Sequence, residues 1–359
     1  MLHRIITGAA ASVLLAVWPA LAAQPLPSFK VDLAQTTVSG LSSGAFMAFQ
    51  FHVAFSDIVQ GAGIVAGGPY RCAEGQLALA LNRCMQTFMG VPDAGRLLNL
   101  ARGDAQQGRI DPLDNLADDR VYLFSGGNDR TVTRPVVDAA ARFYELAGLS
   151  PDSVLYEHDL PAGHAMLTED FGDPCPSTDT PFINDCDHDQ AGVLLAQLHP
   201  GLQPPAAEPA GSVVAFDQAE FFPPSNRPAL GGTLALGSTL GLGATGYAYV
   251  PAPCAAGATC RVHVVFHGCK QTPEDIGDTY VQRTGYNRWA DSNASIVLYP
   301  QAKSALLGNP NGCWDWWGYG EAGYATKAGP QMAAVRAMLD RLAGTRSTVA
   351  LRRTVRARP

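Results

Sequence analysis

The sequence predicts an α/β fold in which a mostly parallel central sheet is covered by helices on both faces. From Val31 to Leu198, short β-rich runs alternate with longer helical patterns, and two more strand–helix units follow a segment rich in proline and alanine at residues 199–212. Alternation of this kind is typical of parallel sheets whose crossovers are helices. With 359 residues, the chain is long enough for one large domain, which we place at residues 23–343.

The first half of the chain predicts four strands and two helices. The strands lie near Thr36 to Val38 and at residues 61–67, 120–126 and 153–160, and the helices begin at Gly44 and after Pro135. The second half predicts two clear parallel strands, at residues 261–268 and 295–301, together with some glycine-rich β segments. Two strands alone would bury too little surface to be stable. We therefore expect strands from both halves to form a single sheet, with residues 199–212 as a connector.

The N-terminal residues 1–22 have the pattern of a secretory signal peptide. Arg4 precedes an apolar core from about Ile5 to Trp18, and Ala20-Leu21-Ala22 forms a small-residue cleavage site. A membrane anchor is the alternative, but this apolar core is shorter than the roughly 20 residues that a span needs. We expect a secreted protein whose last residues, 344–359, form a disordered basic tail.

All eight cysteines lie after the predicted signal peptide, as expected for a protein that forms disulfides in an oxidising compartment. Zinc is the alternative, but the paired Cys-x-x-Cys ligands typical of zinc sites do not occur in the sequence. Eight cysteines allow 105 connectivities. Closeness in sequence favours Cys72 with Cys84, Cys175 with Cys186, and Cys254 with Cys260, which leaves Cys269 for Cys313.

The charge balance argues against a polyanionic partner. The formal net charge is −7 and only 16% of the residues are charged. Nucleic acid binding would need clustered Lys and Arg to meet the phosphates, and the basic cluster of this chain is confined to its tail. We therefore expect no nucleic acid partner.

The segment from Thr37 to Phe55 contains a Gly-x-Ser-x-Gly motif between a short β-branched run and an apolar helical stretch. A nucleophilic serine needs a strand, a sharp turn and a helix, so that its hydroxyl stands exposed where the helix begins. This context makes Ser42 a candidate nucleophile. A glycine-rich turn without chemistry is the alternative.

A serine nucleophile needs a histidine to take its proton and a carboxylate to orient that histidine. In hydrolases whose nucleophile stands on such a strand–turn–helix, these groups occur in the order Ser, Asp, His, on loops after successive strands. Asp129 follows one predicted strand in a glycine-rich loop, and His164 follows the next strand, directly after Gly163. The competing histidines lie inside a helix, within a strand and in an acidic loop: His52, His158 and His188.

Acyl transfer also needs two backbone N–H groups aimed at the developing oxyanion. Ser43 can supply one at the start of the helix, and Cys269 can supply the other after a strand that ends in His267-Gly268. His267 then serves backbone geometry and is not the base. Such a strand normally precedes the nucleophile, whereas here it comes over two hundred residues later. This order predicts a circular permutation, with the old termini joined near residues 199–212.

Six segments together resemble a known family, the extracellular poly(3-hydroxybutyrate) depolymerases of the circularly permuted single-domain type. They are SGLSSGAFMA, SGGNDRTV, PAGHAM, PFINDCDHDQAG, VVFHGCKQ and GCWDWWGY, in the same order over most of the mature chain. The resemblance implies an α/β-hydrolase fold with Ser42 as nucleophile, His164 as base, Asp129 as its partner, and an oxyanion hole from Ser43 and Cys269. It also implies ester hydrolysis in a short-chain polyhydroxyalkanoate through an acyl-enzyme, without a cofactor.

Residues 311–320, NGCWDWWGYG, place three tryptophans in four residues beside a cysteine. If Cys313 is bound to Cys269, this segment lies beside the oxyanion hole, where aromatic faces could grip an apolar polyester. We expect substrate contact from at least one of Trp314, Trp316 and Trp317, and a loop folded onto the core is the alternative.

The acidic segment at residues 184–192 suggests a cation site that includes His188, but a simpler role is available. Asp189 precedes a helical pattern and is a good helix N-cap. We expect no metal at this segment.

We expect a secreted serine esterase that acts as a monomer on a polyester polymer or oligomer, with no cofactor and no membrane partner. A general carboxylesterase, such as a feruloyl-esterase-like enzyme, is an alternative with the same triad. A non-catalytic protein that holds a polymer with the tryptophan segment is another. The intact set Ser42, Asp129 and His164 argues against that last alternative, because a binding protein needs none of this chemistry.

Overall fold

The computed structural model describes residues 24–223 and 240–345 of the chain. The predicted signal peptide, residues 1–22, and the predicted tail beyond Thr345 lie outside these ranges. The strands of the described ranges are β1 (Thr36–Leu41), β2 (Val59–Val65), β3 (Arg120–Phe124), β4 (Val154–Glu157), β5 (Met166–Thr168), β6 (Asp173–Pro174), β7 (Ile183–Asp185), β8 (Ser212–Asp217), β9 (Thr245–Val250), β10 (Arg261–Phe266) and β11 (Ser295–Tyr299). The helices are α1 (Ser43–Ala54), α2 (Leu77–Leu79), α3 (Ala94–Gln106), α4 (Arg134–Ala147), α5 (Gln190–Leu198), α6 (Ala252–Ala255), α7 (Pro273–Ile276), α8 (Thr279–Arg283), α9 (Tyr286–Ser292) and α10 (Pro330–Leu342).

The core of the molecule is an eight-stranded sheet in the order β4-β3-β2-β1-β10-β11-β9-β8. The pairs from β4 to β11 are parallel, whereas β9 and β8 are antiparallel additions at one edge. β1 lies in the middle, between a strand from the first half of the chain and one from the second. The predicted mostly parallel sheet with strands from both halves is confirmed.

The strand order is the one that the predicted permutation produces. Counted from β8 as first, with β1 to β4 as fifth to eighth, the sheet reads 1-2-4-3-5-6-7-8. In that count the strand before Cys269 is third and the strand before Ser42 is fifth, so the oxyanion strand precedes the nucleophile strand as usual. Residues 199–211 lead from the end of α5 to the start of β8.

Helices cover both faces because neighbouring residues of a strand point to opposite sides. In β2, Gly63 lies against Leu194 of α5, whereas Ile64 points toward Ala45 of α1, near Gly67. α4 packs beside α1 on the second face, where Phe49 stacks on Tyr144 with ring centroids 4.4 Å apart. On the first face, Trp289 of α9 donates a hydrogen bond to Asp189 at the start of α5 (2.7 Å).

β1 is buried along its whole length, and its polar side chains are satisfied internally. Thr37 Oγ1 and Ser39 Oγ each bond one ring nitrogen of His263, at 2.8 Å, and Ser39 also bonds the hydroxyl of Tyr286. Buried hydroxyls cost free energy unless they are paired in this way. These hydrogen bonds therefore fix β1, the strand that leads to the candidate nucleophile, to His263 and Tyr286.

The structure contains the four predicted disulfides. They join Cys72 to Cys84, Cys175 to Cys186, Cys254 to Cys260, and Cys269 to Cys313. The last bridge spans 44 positions and ties the end of β10 to the tryptophan segment. In the part of the chain that the structure describes, no helix is long and apolar enough to cross a membrane.

Candidate active site

Ser42 stands on a sharp turn between β1 and α1, which is the predicted strand–turn–helix context. Its φ of 57° and ψ of −121° form a strained conformation for a residue with a side chain. The turn is fixed on both sides, because Ser42 N–H donates to Val65 O (2.9 Å) and Ser42 O accepts Phe46 N–H (3.0 Å). This geometry holds the hydroxyl of a nucleophile at the start of a helix.

The two glycines of the motif are required by the closeness of the backbone. A Cβ on Gly44 would lie 2.2 Å from Phe266 O, and one on Gly40 would lie 2.4 Å from the backbone of Gly44. α1 can therefore begin against the end of β10 only if both positions lack a side chain. The motif brings the nucleophile turn and the end of β10 together.

Asp129 and His164, the two residues predicted as carboxylate partner and base, are hydrogen-bonded to each other. His164 Nδ1 lies 2.7 Å from Asp129 Oδ2, and both side chains are buried. The other carboxylate oxygen of Asp129 accepts the backbone N–H groups of Thr131 (2.7 Å) and Val132 (3.0 Å). An ionised carboxylate is an acceptor only, so the proton of the neutral imidazole lies on Nδ1 and the lone pair on Nε2.

The loops that carry these two residues are joined by main-chain hydrogen bonds. Gly127 N–H donates to Leu160 O (2.8 Å) and Asn128 N–H to Ala162 O (2.9 Å). Leu160 is the last residue of the predicted strand at residues 153–160, and Ala162 lies in the loop after it. β4 in fact ends at Glu157, so the predicted strand at 153–160 is too long. His158 accordingly lies after the strand and not within it.

The turn after β10, residues 267–269, reaches the nucleophile. A Cβ on Gly268 would lie 3.5 Å from Ser42 Cβ. His267 Nε2 accepts Ala302 N–H (3.0 Å), so its Nδ1 carries the proton and donates to Gly268 O (2.6 Å). Burial lowers the pKa of His267 to about 4, which keeps the ring neutral. His267 has no free nitrogen for a catalytic proton and acts on backbone geometry, as predicted.

The remaining buried histidines are also engaged at both nitrogens. His52 bonds Tyr144 and Asp119, and His263 bonds Thr37 and Ser39. Neither has a lone pair left to accept a proton from Ser42, which favours His164 as the base.

The structure separates the three predicted tryptophans by burial. Trp314 is fully buried, donates from Nε1 to His267 O (3.0 Å), and supports the turn after β10 instead of facing substrate. Trp316 is 5% exposed and stacks on Phe46, one turn of helix after Ser42, with centroids 4.1 Å apart. Trp317 is partly exposed and contacts Trp316 edge-on at 5.5 Å.

Sequence reasoning missed Asp315, which organises this segment. Its carboxylate accepts the backbone N–H groups of Gly318 (2.7 Å), Tyr319 (3.0 Å) and Gly320 (2.9 Å). Burial raises the pKa of Asp315 to about 6, against the opposing effect of these hydrogen bonds. An Asp followed by glycine within a few residues is a weak signal for such a turn.

The acidic segment at residues 184–192 behaves as a helix cap. Asp189 accepts Gly192 N–H (2.9 Å) at the start of α5, as predicted. Within residues 24–223 and 240–345, no group of three or more His, Cys, Asp or Glu side chains could hold a metal ion. A cavity of about 660 Å³ lies elsewhere, between α8, α9, β8 and the loop after β5, and none of the predicted site residues lines it.

Comparison with known proteins places these features in a family. A family model described as "Esterase PHB depolymerase" matches residues 245–353. A poly(3-hydroxybutyrate) depolymerase from Delftia acidovorans is 45% identical over 351 residues, which cover 96% of this chain and 67% of that protein. A polyhydroxybutyrate depolymerase from Talaromyces funiculosus is 35% identical over 332 residues, which cover 88% of this chain and 91% of that one.

Two solved structures are similar over most of the chain. One is the PHB depolymerase from Penicillium funiculosum, with a TM-score of 0.78 and 32% identity over 89% of this chain and 99% of that one. The other is a serine-to-alanine variant of a PHB depolymerase in complex with an R3HB trimer, with the same TM-score, identity and coverage.

Proposed function

The chain belongs to the PHB depolymerase family of esterases, and we propose that it cleaves its polymer with Ser42, Asp129 and His164. It is a carboxylic ester hydrolase that acts on poly(3-hydroxybutyrate) or a close relative. The assignment of residues depends on the Asp129–His164 hydrogen bond of 2.7 Å. This pair lies past the carboxyl ends of the parallel strands, the same end of the sheet at which Ser42 stands on its strained turn.

In the proposed reaction, His164 Nε2 takes the proton of Ser42 as Oγ attacks the ester carbonyl. Asp129 stabilises the resulting imidazolium, which then donates its proton to the departing hydroxyl of the polymer. Water, activated by the same imidazole, hydrolyses the acyl-enzyme and releases the acid. The chain needs no cofactor for these steps.

We assign the oxyanion hole to the N–H groups of Ser43 and Cys269. Neither N–H has a hydrogen-bond partner among the described residues. Ser43 follows Ser42 directly, and Cys269 follows Gly268, on which a Cβ would lie 3.5 Å from Ser42 Cβ. Donors that are fixed before the reaction stabilise the oxyanion without reorganisation, and losing one typically costs about 3 kcal/mol of barrier.

We assign the polymer contact to Trp317, with Trp316 as its support. The stack of Trp316 on Phe46 brings the pair to the first turn of α1, close to the nucleophile. The exposed part of Trp317 offers an apolar face for the methyl and methylene groups of a polyester.

Labelling with an organophosphate tests the chemistry. We expect the wild type to be labelled and Ser42→Ala to be neither labelled nor active on p-nitrophenyl butyrate. Ser125→Ala is the matched control, because Ser125 Oγ is buried without a hydrogen-bond partner among the residues that the structure describes, and its loss should leave activity intact. Labelling that persists in Ser42→Ala would refute the assignment of the nucleophile.

Clearing of a poly(3-hydroxybutyrate) suspension tests the substrate. We expect the wild type to clear the suspension and release 3-hydroxybutyrate or its oligomers, and Ser42→Ala to do neither. Cleavage of p-nitrophenyl butyrate without any release from amorphous polymer would favour the general carboxylesterase instead.

We also propose that the protein is exported and that its signal peptide ends at Ala22. Four disulfides support this proposal, because such bridges persist in oxidising compartments. N-terminal sequencing of the secreted protein should begin at Ala23, and retention in the cytosol with the leader intact would contradict it. The monomeric state stays a prediction.

A further inference from the structure

We propose that Gln271 is a positioning residue that holds the oxyanion turn and the base loop in a fixed relation to each other. The oxyanion turn is residues 267–269, and the base loop is residues 158–164, which lead from the end of β4 to His164. The proposal rests on the function proposed above and concerns a side chain that contacts neither substrate nor the reacting atoms.

The oxyanion turn contains two peptide groups, and three of their four polar groups are fixed. In the first peptide, His267 O accepts the indole N–H of Trp314, and Gly268 N–H donates to Gln271 Oε1 (2.6 Å). In the second peptide, Gly268 O accepts His267 Nδ1–H. The carbonyl and the N–H of a trans peptide point in opposite directions. Holding Gly268 O therefore aims Cys269 N–H the other way and leaves it free for the oxyanion.

Gln271 supplies the hydrogen bond that fixes the first peptide. Its side chain is 1% exposed, and its Nε2 donates to Pro181 O (2.7 Å) and Phe182 O (3.2 Å). The amide can adopt only this orientation, because the reverse one would face Gly268 N–H with a second donor and two carbonyls with an acceptor. The three hydrogen bonds together therefore require a primary amide, which has one acceptor oxygen and an NH₂ group with two N–H donors.

The carbonyls that Gln271 holds belong to the segment that supports the base. Thr178 Oγ1 in that segment accepts the backbone N–H of His164 (2.9 Å). The backbone of the same segment also packs closely against Gly163, the residue before His164, because a Cβ on Gly163 would lie 1.9 Å from Ser177 O. A single amide therefore connects the peptide beside the oxyanion donor with the backbone beside the imidazole.

This connection matters because the two groups come from opposite halves of the chain. Gln271 and Pro181 are 90 positions apart, and the loops that they belong to follow different strands of the sheet. Displacement of a catalytic group by about 1 Å can cost on the order of 10²-fold in rate. A shared hydrogen-bonded side chain limits such displacement between donor and base.

The test compares Gln271→Met and Gln271→Glu with matched variants of Gln218. Gln218 is also fully buried, donates to two backbone carbonyls (Gly243 O and Gln301 O, both 2.8 Å) and accepts one backbone N–H (Gln301, 2.9 Å), at the β8–β9 edge of the sheet. Substitutions there remove the same set of hydrogen bonds without a direct contact to the oxyanion turn, which Gln218 reaches only indirectly, through the Gln301–Ala302 peptide whose N–H donates to His267. Each variant is assayed for kcat and KM on p-nitrophenyl butyrate, for inhibition by butylboronic acid and for thermal unfolding.

We expect Gln271→Met to lower kcat by about 10²-fold with KM within threefold of the wild type. Affinity for butylboronic acid, whose tetrahedral adduct with serine places an oxygen in the oxyanion hole, should fall in parallel. Gln218→Met should lower the unfolding temperature and reduce kcat much less than Gln271→Met does. A folded Gln271→Met enzyme with kcat within threefold of wild type, or an equal loss of kcat in Gln218→Met, would overturn the proposal.

Gln271→Glu provides a second test that does not depend on the first variant folding. The ionised carboxylate cannot donate to Pro181 O and adds a negative charge beside the oxyanion, whereas the protonated acid has a donor and an acceptor as the amide does. The ratio of its kcat to that of the wild type should therefore rise at least tenfold from pH 8 to pH 5. A flat ratio would contradict the proposal. Activity that survives in Ser42→Ala would instead refute the proposed function itself.

Discussion

Asp129→Asn is the sharpest test of the proposed triad, because the surrounding backbone determines how the new amide is oriented. Oδ1 of Asp129 accepts two backbone N–H groups, from Thr131 and Val132, and Oδ2 accepts His164 Nδ1–H. An asparagine will keep its oxygen toward the two N–H groups, since the reverse orientation loses two buried hydrogen bonds instead of one, at about 1–3 kcal/mol each. Its NH₂ group then faces His164.

A donor at that position forces His164 into the tautomer with the proton on Nε2. This tautomer has no lone pair for the proton of Ser42, and the imidazolium also loses its carboxylate partner. We expect kcat to fall by about 10³- to 10⁴-fold, or roughly 4–5.5 kcal/mol, with little change in KM.

Initial rates on p-nitrophenyl butyrate, with thermal unfolding to show that the variant is folded, measure this effect. Asp93→Asn is the matched control, since Asp93 caps α3 through Arg96 N–H and asparagine caps equally well. A folded Asp129→Asn enzyme that keeps more than a tenth of wild-type kcat would show that Asp129 does not set the tautomer of the base.

Three further predictions follow from the same structure. Trp317→Ala should raise KM for 3-hydroxybutyrate oligomers severalfold and leave kcat on p-nitrophenyl acetate unchanged; equal effects on both substrates would argue against an aromatic polymer contact. Replacing Cys269 and Cys313 together by alanine should destabilise the fold by up to about 4 kcal/mol, from the 44-position loop, and lower activity, as urea unfolding and esterase assays can show; an unchanged enzyme would mean that hydrogen bonds alone hold the turn. Acid should also destabilise the protein, because the folded-state pKa of His267, about 4, is below its unfolded value of 6.5. The contribution of neutral His267 to the free energy of unfolding is complete above pH 6.5 and falls by roughly 3 kcal/mol between pH 7 and pH 4. Urea unfolding that shows constant stability over this range would contradict that cause.

Most of the fold follows from local patterns. The strands before Asp129 and Cys269 are short, mostly apolar runs, and the strand before Ser42 is a short β-branched run. Each is followed by a glycine-rich turn, and α1 begins at Ser43, one residue before the predicted start. The predicted end of β4 is the main error in these elements. Residues 158–164 bond the loop that carries Asp129 through main-chain groups, and such bonds leave no signal in the side chains. The antiparallel strands β8 and β9 also have a weak signal in the sequence, because antiparallel strands need no continuous apolar run.

The amino-acid sequence establishes the order of the chemical groups along the chain and predicts the permutation, and closeness in sequence favours the disulfide partners that the structure contains. Each of these depends on short motifs and on their order along the chain, which can be read without knowing which segments pack together. The folded structure was needed to learn which tryptophan is buried, which carboxylate organises the tryptophan segment at residues 311–320, and how Gln271 joins two loops 90 positions apart. Burial and hydrogen bonds between distant segments exist only once the sheet has brought the segments together, so no local pattern in the sequence encodes them.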